Sequence, residues 1–173
     1  MIQPRLFVVQ RPGRGRLATM AAPRGGEYLR DELAALAAVG VGTMVSLLTT
    51  AEEWTLDLAG EQDLAQAAGI DFMRLPTVDR GLPTLGPTHR LSRQLVARLD
   101  RGDTVAIHCR AGIGRASLLA ACVLVQEGTP ADDVWQRITD ARGLLVPDTD
   151  QQREWVVTFA SYARSKCTTG TDE

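Results

Sequence analysis

Lysine is nearly missing from this chain: Lys166 is the single lysine among nineteen basic residues, so arginine carries the positive charge. Nor does positive charge prevail, since 21 acidic residues leave a formal net charge of −2. That balance gives no global field to draw nucleic acid or an anionic membrane surface. Cysteine is scarce as well. Cys109, Cys122 and Cys167 are too few and too irregularly spaced for a disulfide framework or a zinc site. No apolar run approaches the ~20 residues that span a bilayer. The N-terminus lacks the charged-then-apolar layout of a secretory signal. Internal repeats and low-complexity linkers are absent too. The 173 residues therefore read as one compact domain over 1–163, with a polar, flexible tail over 164–173.

Against this plain background one segment stands out, His108-Cys109-Arg110-Ala111-Gly112-Ile113-Gly114-Arg115. It follows Thr104-Val105-Ala106-Ile107, a short buried strand, and it precedes an apolar helical run from Leu118 to Val125. A strand, a glycine-bearing loop and a helix N-terminus make an anion site from backbone N–H groups. Gly112 and Gly114 can take the φ > 0 conformations such a loop needs. Arg115 can hold two phosphoryl oxygens with its planar fork. Cys109 then stands where a helix N-terminus and a cation favour its thiolate, the nucleophilic form. The bland alternative is a buried cysteine followed by a glycine turn.

This segment resembles the active-site loop of the cysteine-dependent protein phosphatases, Cys-x5-Arg, most closely in the dual-specificity and kinase-associated branch. The resemblance implies a protein tyrosine phosphatase-like fold and hydrolysis through a phosphocysteine, with no metal or cofactor. Cys109 matches the nucleophile and Arg115 the phosphate-binding arginine. His108 matches the histidine that orders the loop and helps keep the thiol ionised. Arg110, Ala111, Gly112, Ile113 and Gly114 match the phosphate-binding loop itself. One departure concerns the second step. The family has Ser or Thr after the arginine, and this chain has Ala116, with Ser117 rotated about 100° further around the helix.

Protonating a leaving alkoxide or phenoxide requires a general acid. Asp79 lies in the turn-rich segment Pro76 to Pro83, 30 positions before Cys109 (109 − 79), where the family carries its acid. Asp71 is a rival that opens the preceding strand. A solvated turn aspartate is the bland reading. Family members also place a glutamine near the start of a late helix to position water. Gln152, seven places before Phe159, fits better than Gln151, though either could be a solvated first-turn residue.

Periodicity gives strands at Leu6–Val9, Leu17–Met20, Thr43–Leu48 and Ile70–Leu75, besides the one before Cys109. Helices are expected at Tyr28–Val39, Ala51–Ala68 with a break near Gly60, Thr88–Leu99, Ala131–Thr139 and Gln151–Ala163. This alternation predicts an α/β fold with a central, mostly parallel sheet flanked by helices on both faces. The site belongs at the carboxyl end of a central strand. Arg11, Arg14, Arg16 and Arg24 could steer an acidic substrate or be ordinary surface. The expected partner is a phosphorylated protein or peptide; neither nucleic acid nor membrane is expected, and the oligomeric state stays open. Ile113 stands where some lipid phosphatases of the superfamily carry lysine, which disfavours inositol phosphates. A working Cys109 must stay reduced, so a cytoplasmic location is expected. Two other functions compete: a phosphoprotein binder with little turnover, and a sulfurtransferase or arsenate reductase.

Overall fold

The computed structural model describes residues 3–169. Its strands are β1 (Phe7–Val9), β2 (Arg16–Ala21), β3 (Val41–Ser46), β4 (Asp71–Arg74) and β5 (Thr104–Cys109). Its helices are α1 (Leu29–Ala38), α2 (Thr50–Thr55), α3 (Glu61–Ala67), α4 (Leu85–Asp100), α5 (Arg115–Gln126), α6 (Val134–Arg142) and α7 (Asp150–Thr169). The sheet order is β1-β2-β5-β3-β4. Only the edge pair β1–β2 is antiparallel, while β2–β5, β3–β5 and β3–β4 are parallel.

β5 sits in the middle because every one of its residues is buried. Val105, Ile107 and Cys109 face a layer built from α4, α5, α6 and α7. Ala106, one residue out of phase, faces the layer of α1 and α3, with Leu33, Leu36 and Ala65. Helices thus cover both faces, as expected. Ten of the twelve residues of α5 are buried. Its N-terminus, which follows the Cys109 loop, is therefore held by the core, where each fully buried leucine contributes about 1.5–3 kcal/mol.

Several boundaries differ from expectation for local reasons. α4 begins at Leu85 instead of Thr88, with Pro87 in its first turn. A proline is tolerated there because the first N–H groups of a helix lack intrahelical partners. The helical pattern over 51–68 does split near Gly60, as expected, into α2 and α3, with Asp57 at φ 54 between them and Gly60 as the N-cap of α3. α6 is shifted toward Arg142 and ends at Gly143, a left-handed cap at φ 72. The tail expected from residue 164 is helical as far as Thr169. Contacts within α7 support that extension, among them Ser165 Oγ donating to Tyr162 O and Lys166 over the Tyr162 ring. Residues 170–173 of the expected tail lie outside the described residues, as do residues 1–2.

Arg11 is not free to steer a substrate. Its side chain is buried and paired with Glu127 and Asp100, and Arg24 pairs with Glu32. No described helix is long and apolar enough to cross a membrane.

Candidate active site

Cys109 closes β5 and is buried. The loop 110–114 then turns back to α5, whose N-cap is Gly114 with no side-chain cap. The first-turn N–H groups of α5 therefore have no capping side chain, the condition for receiving an anion. The loop is pinned just past the end of β2, where Ala22 N–H donates to Arg110 O at 3.2 Å. Gly112 takes φ 70, and a Cβ there would lie 2.3 Å from Met20 O. Both the dihedral and the close approach require glycine. We expect Gly112→Ala to cost roughly 2 kcal/mol or more, through strain and displacement of the loop. Chemical denaturation and phosphate titration of the variant would show it; unchanged stability and affinity would contradict the geometry.

Arg115 is the hub of the site. Its side chain is 1% exposed. The Nη1 and Nη2 groups donate to the two oxygens of Glu52, each at 2.8 Å, a fork-to-fork pair. Nη1 also donates to Thr77 O at 2.7 Å, and Nη2 lies 3.2 Å from Asp79 Oδ1. Arg115 Nε has no hydrogen-bond partner among the described residues. Burial works against the charge of Arg115. The hydrogen bonds to Glu52 and the charges of Cys109, Glu52 and Asp79 outweigh it, and the pKa rises. The same hydrogen bonds from Arg115 outweigh desolvation at Glu52, whose pKa falls from 4.5 to about 2.

The expected residues converge on this hub to different degrees. Asp79 is exposed and touches Arg115. Its neighbour Arg80 sits at φ 57, an unusual conformation for a non-glycine residue, and Gly81 N–H closes the turn onto Val78 O. Asp71 is elsewhere, paired with Arg98 at 2.6 Å. Gln152 is fully buried, while Gln151 is exposed. Its N–H is capped by Thr149 Oγ1, its Nε2 reaches Gly81 O at 3.5 Å, and its Oε1 has no partner among the described residues. It therefore bridges α7 and the Asp79 loop. His108 points to the opposite face of the sheet from Cys109, with Nδ1 3.4 Å from Cys109 O. Arg110 is exposed beside the site. Ala116 is packed in the core, and Ser117 Oγ is buried without a partner among the described residues. Among these residues no group of three or more His, Cys, Asp or Glu side chains is arranged to hold a metal.

Four residues here escaped the sequence reading. Glu52 was signalled only as part of Thr49-x-x-Glu52, a capping box that the structure forms on α2. Glu61 is buried at 2% exposure with its Oε1 3.1 Å from His108 Nε2. That pair is close but out of hydrogen-bond alignment. Asp148 reaches the loop, since a Cβ on Gly114 would lie 2.0 Å from its Oδ2. Arg142 grips the outside of the loop by two carbonyls. No local pattern announces the last three.

Several known proteins are similar to this chain. Rat cyclin-dependent kinase inhibitor 3 is 29% identical over 110 residues, covering 60% of this chain and 52% of the relative. Rat phosphatidylglycerophosphatase and protein-tyrosine phosphatase 1 is 32% identical over 81 residues, 46% of this chain and 36% of the relative. The chain thus spans about half or less of the length of these curated relatives. A solved kinase associated phosphatase, with its catalytic cysteine substituted by serine, superposes with a TM-score of 0.84 at 19% identity. That match covers 95% of this chain and 98% of the other and establishes the shared fold. The family model described as polymorphic toxin system, DSP-PTPase phosphatase, matches residues 18–129. With its Cys-x5-Arg loop inside that match, the chain belongs to the DSP-PTPase phosphatase family.

Proposed function

We propose that this chain hydrolyses phosphomonoesters by two in-line displacements, on phosphorylated proteins or peptides. The observation that carries the reading is the hub at Arg115, a buried cation whose Nε has no hydrogen-bond partner among the described residues and whose Nη2 lies 3.2 Å from Asp79. A phosphoryl group entering the loop would take the donors of Nε and Nη2 and compete with Asp79 for the latter. Asp79, displaced from the guanidinium, is then free to serve the leaving oxygen. The Cys109 thiolate attacks phosphorus, forming the S–P bond as the P–O bond breaks. Asp79 gives its proton to the departing oxygen. Loop N–H groups and Arg115 hold the equatorial oxygens as charge develops. Water then attacks phosphorus, with ionised Asp79 taking its proton and Gln152 placing it, and Cys109 leaves as thiolate.

The protein substrate is supported by family membership and by relatives whose names include protein-tyrosine phosphatase. We read the chain as one phosphatase-like domain, working in the reducing cytoplasm where Cys109 stays a thiol. The acid beside Arg115 favours phosphate hydrolysis over sulfur transfer or arsenate reduction.

A second reading, capture with little turnover, is favoured by Ala116. Neither it nor Ser117, whose hydroxyl is buried without a partner among the described residues, supplies the hydroxyl usual after the arginine. Rapid-mixing kinetics with an aryl phosphate in EDTA separates the two. Sustained turnover supports the enzyme, whereas one equivalent of phenol followed by arrest supports the binder. Asp79→Asn is expected to slow hydrolysis of an alkyl phosphate by about 10²–10⁴-fold, and of an activated aryl phosphate by less. Equal losses on both substrates would remove Asp79 from the acid role.

A further inference from the structure

The loop 110–114 has an inside, facing the expected phosphate, and an outside. The outside is held by Arg142, the last residue of α6. Its Nε donates to Gly112 O at 3.0 Å and its Nη2 to Ala111 O at 2.7 Å. A trans peptide is planar, so its C=O and the following N–H point in opposite directions. Ala111 C=O shares a peptide plane with Gly112 N–H, and Gly112 C=O with Ile113 N–H. Drawing both carbonyls outward therefore turns both N–H groups inward. Across the loop, Gly112 abuts the β2 backbone at Met20. The two peptides are fixed between that strand and one guanidinium.

Arg142 is itself held in place. Its guanidinium carbon lies 3.8 Å from the centroid of the Phe7 ring on β1. Gly143, left-handed at φ 72, ends α6 so that Arg142 occupies the last turn, where a cation suits the helix dipole. The charges around it are Arg5, over the same ring at 5.0 Å, and Cys109. Burial and Arg5 lower its pKa from the usual guanidinium value, and Cys109 opposes them.

We propose that Arg142 is a positioning residue for phosphate, setting the Gly112 and Ile113 N–H donors without touching the anion. The proposal rests on the reading of 110–114 as the phosphate cradle. Charge-assisted hydrogen bonds to the two carbonyls supply the orientation. Phe7 sets the depth at which the guanidinium lies, which couples the edge strand to the catalytic loop.

The test uses the full chain and inorganic tungstate as a non-reacting anion. Calorimetric titration gives its affinity, and amide NMR follows Gly112 and Ile113. In Arg142→Met the affinity is expected to fall by about tenfold or more, and those two amides lose their tungstate-induced shifts. Arg142→Lys keeps the charge but lacks the fork, and is expected to recover only part of the affinity. Equal tungstate affinity in folded Arg142→Met and in the unsubstituted chain overturns the proposal and leaves the phosphatase reading intact. If Arg142→Met does not fold, unchanged affinity in Arg142→Lys overturns it. If the unsubstituted chain does not bind tungstate, the cradle reading fails first and the proposal falls with it.

Discussion

Cys109→Ser is expected to lower hydrolysis of an aryl phosphate by about 10⁴-fold or more while leaving anion binding in place. A serine hydroxyl is a poor nucleophile without a base to activate it, and the adjacent His108 is not positioned for that role. His108 lies on the opposite face of the sheet and is engaged with Glu61. The anion site does not depend on sulfur. It is made by the loop backbone, the uncapped start of α5 and Arg115, which is anchored by Glu52, Thr77 and Leu47 O rather than by Cys109. The same preparation should therefore bind tungstate with affinity close to that of the unsubstituted chain. Steady-state assays in EDTA alongside calorimetric titration check both halves. EDTA-resistant hydrolysis at the unsubstituted rate would eliminate the phosphocysteine route. Loss of tungstate binding together with activity would show that the cysteine shapes the cradle as well as attacking from it.

The candidate loop was readable because its residues are contiguous. Cys109 to Arg115 is a single loop, and loop function depends on spacing along the chain. Asp79 was legible for a related reason, since a Pro- and Gly-rich turn after a strand places its side chain at the sheet's carboxyl end. The central position of β5 was foreshadowed by its apolar stretch Val105-Ala106-Ile107. Glu52, Glu61 and Arg142 were hidden because each acts across the fold. Glu52 reaches Arg115 over 63 positions, and Arg142 reaches Gly112 over 30. In a sequence, a charged residue on a helix reads as a solvated face. Only packing shows that Glu61 is buried at 2% exposure beside a histidine. Helix ends were misplaced where a compensating partner was out of view, as with Pro87 in the first turn of α4 and the side-chain contacts that carry α7 past residue 163.

Removing the carboxylate of Glu52 is expected to damage stability and catalysis together, and its pH signature separates this from ordinary core loss. Arg115 is nearly sealed from solvent, and Glu52 meets it with two parallel hydrogen bonds of 2.8 Å. Glu52→Ala leaves a buried cation without its counter-charge, which typically costs about 3–5 kcal/mol. It also opens the capping box, because Glu52 Oε2 accepts from Thr49 N–H at 3.0 Å. Glu52→Gln is the sharper test. Its amide oxygen can still cap α2 and accept from Arg115, but the charge is gone and the second acceptor becomes a donor facing a guanidinium. The kcat/KM should fall because Arg115 is no longer held in the plane that presents Nε to phosphate. Stability should fall less than in Glu52→Ala. The pairing with Arg115 holds the Glu52 pKa near 2, below its ordinary 4.5. Its stabilisation is therefore complete above the unfolded pKa and is lost as pH falls from about 4.5 through about 2. Glu52→Gln has no proton to take up there, so its stability should decline less steeply over that window. Urea unfolding at a series of pH values, with both chains measured in parallel, tests this. Curves that stay parallel from neutral pH down to pH 2–3 would mean that Glu52 does not carry the charge that orients Arg115.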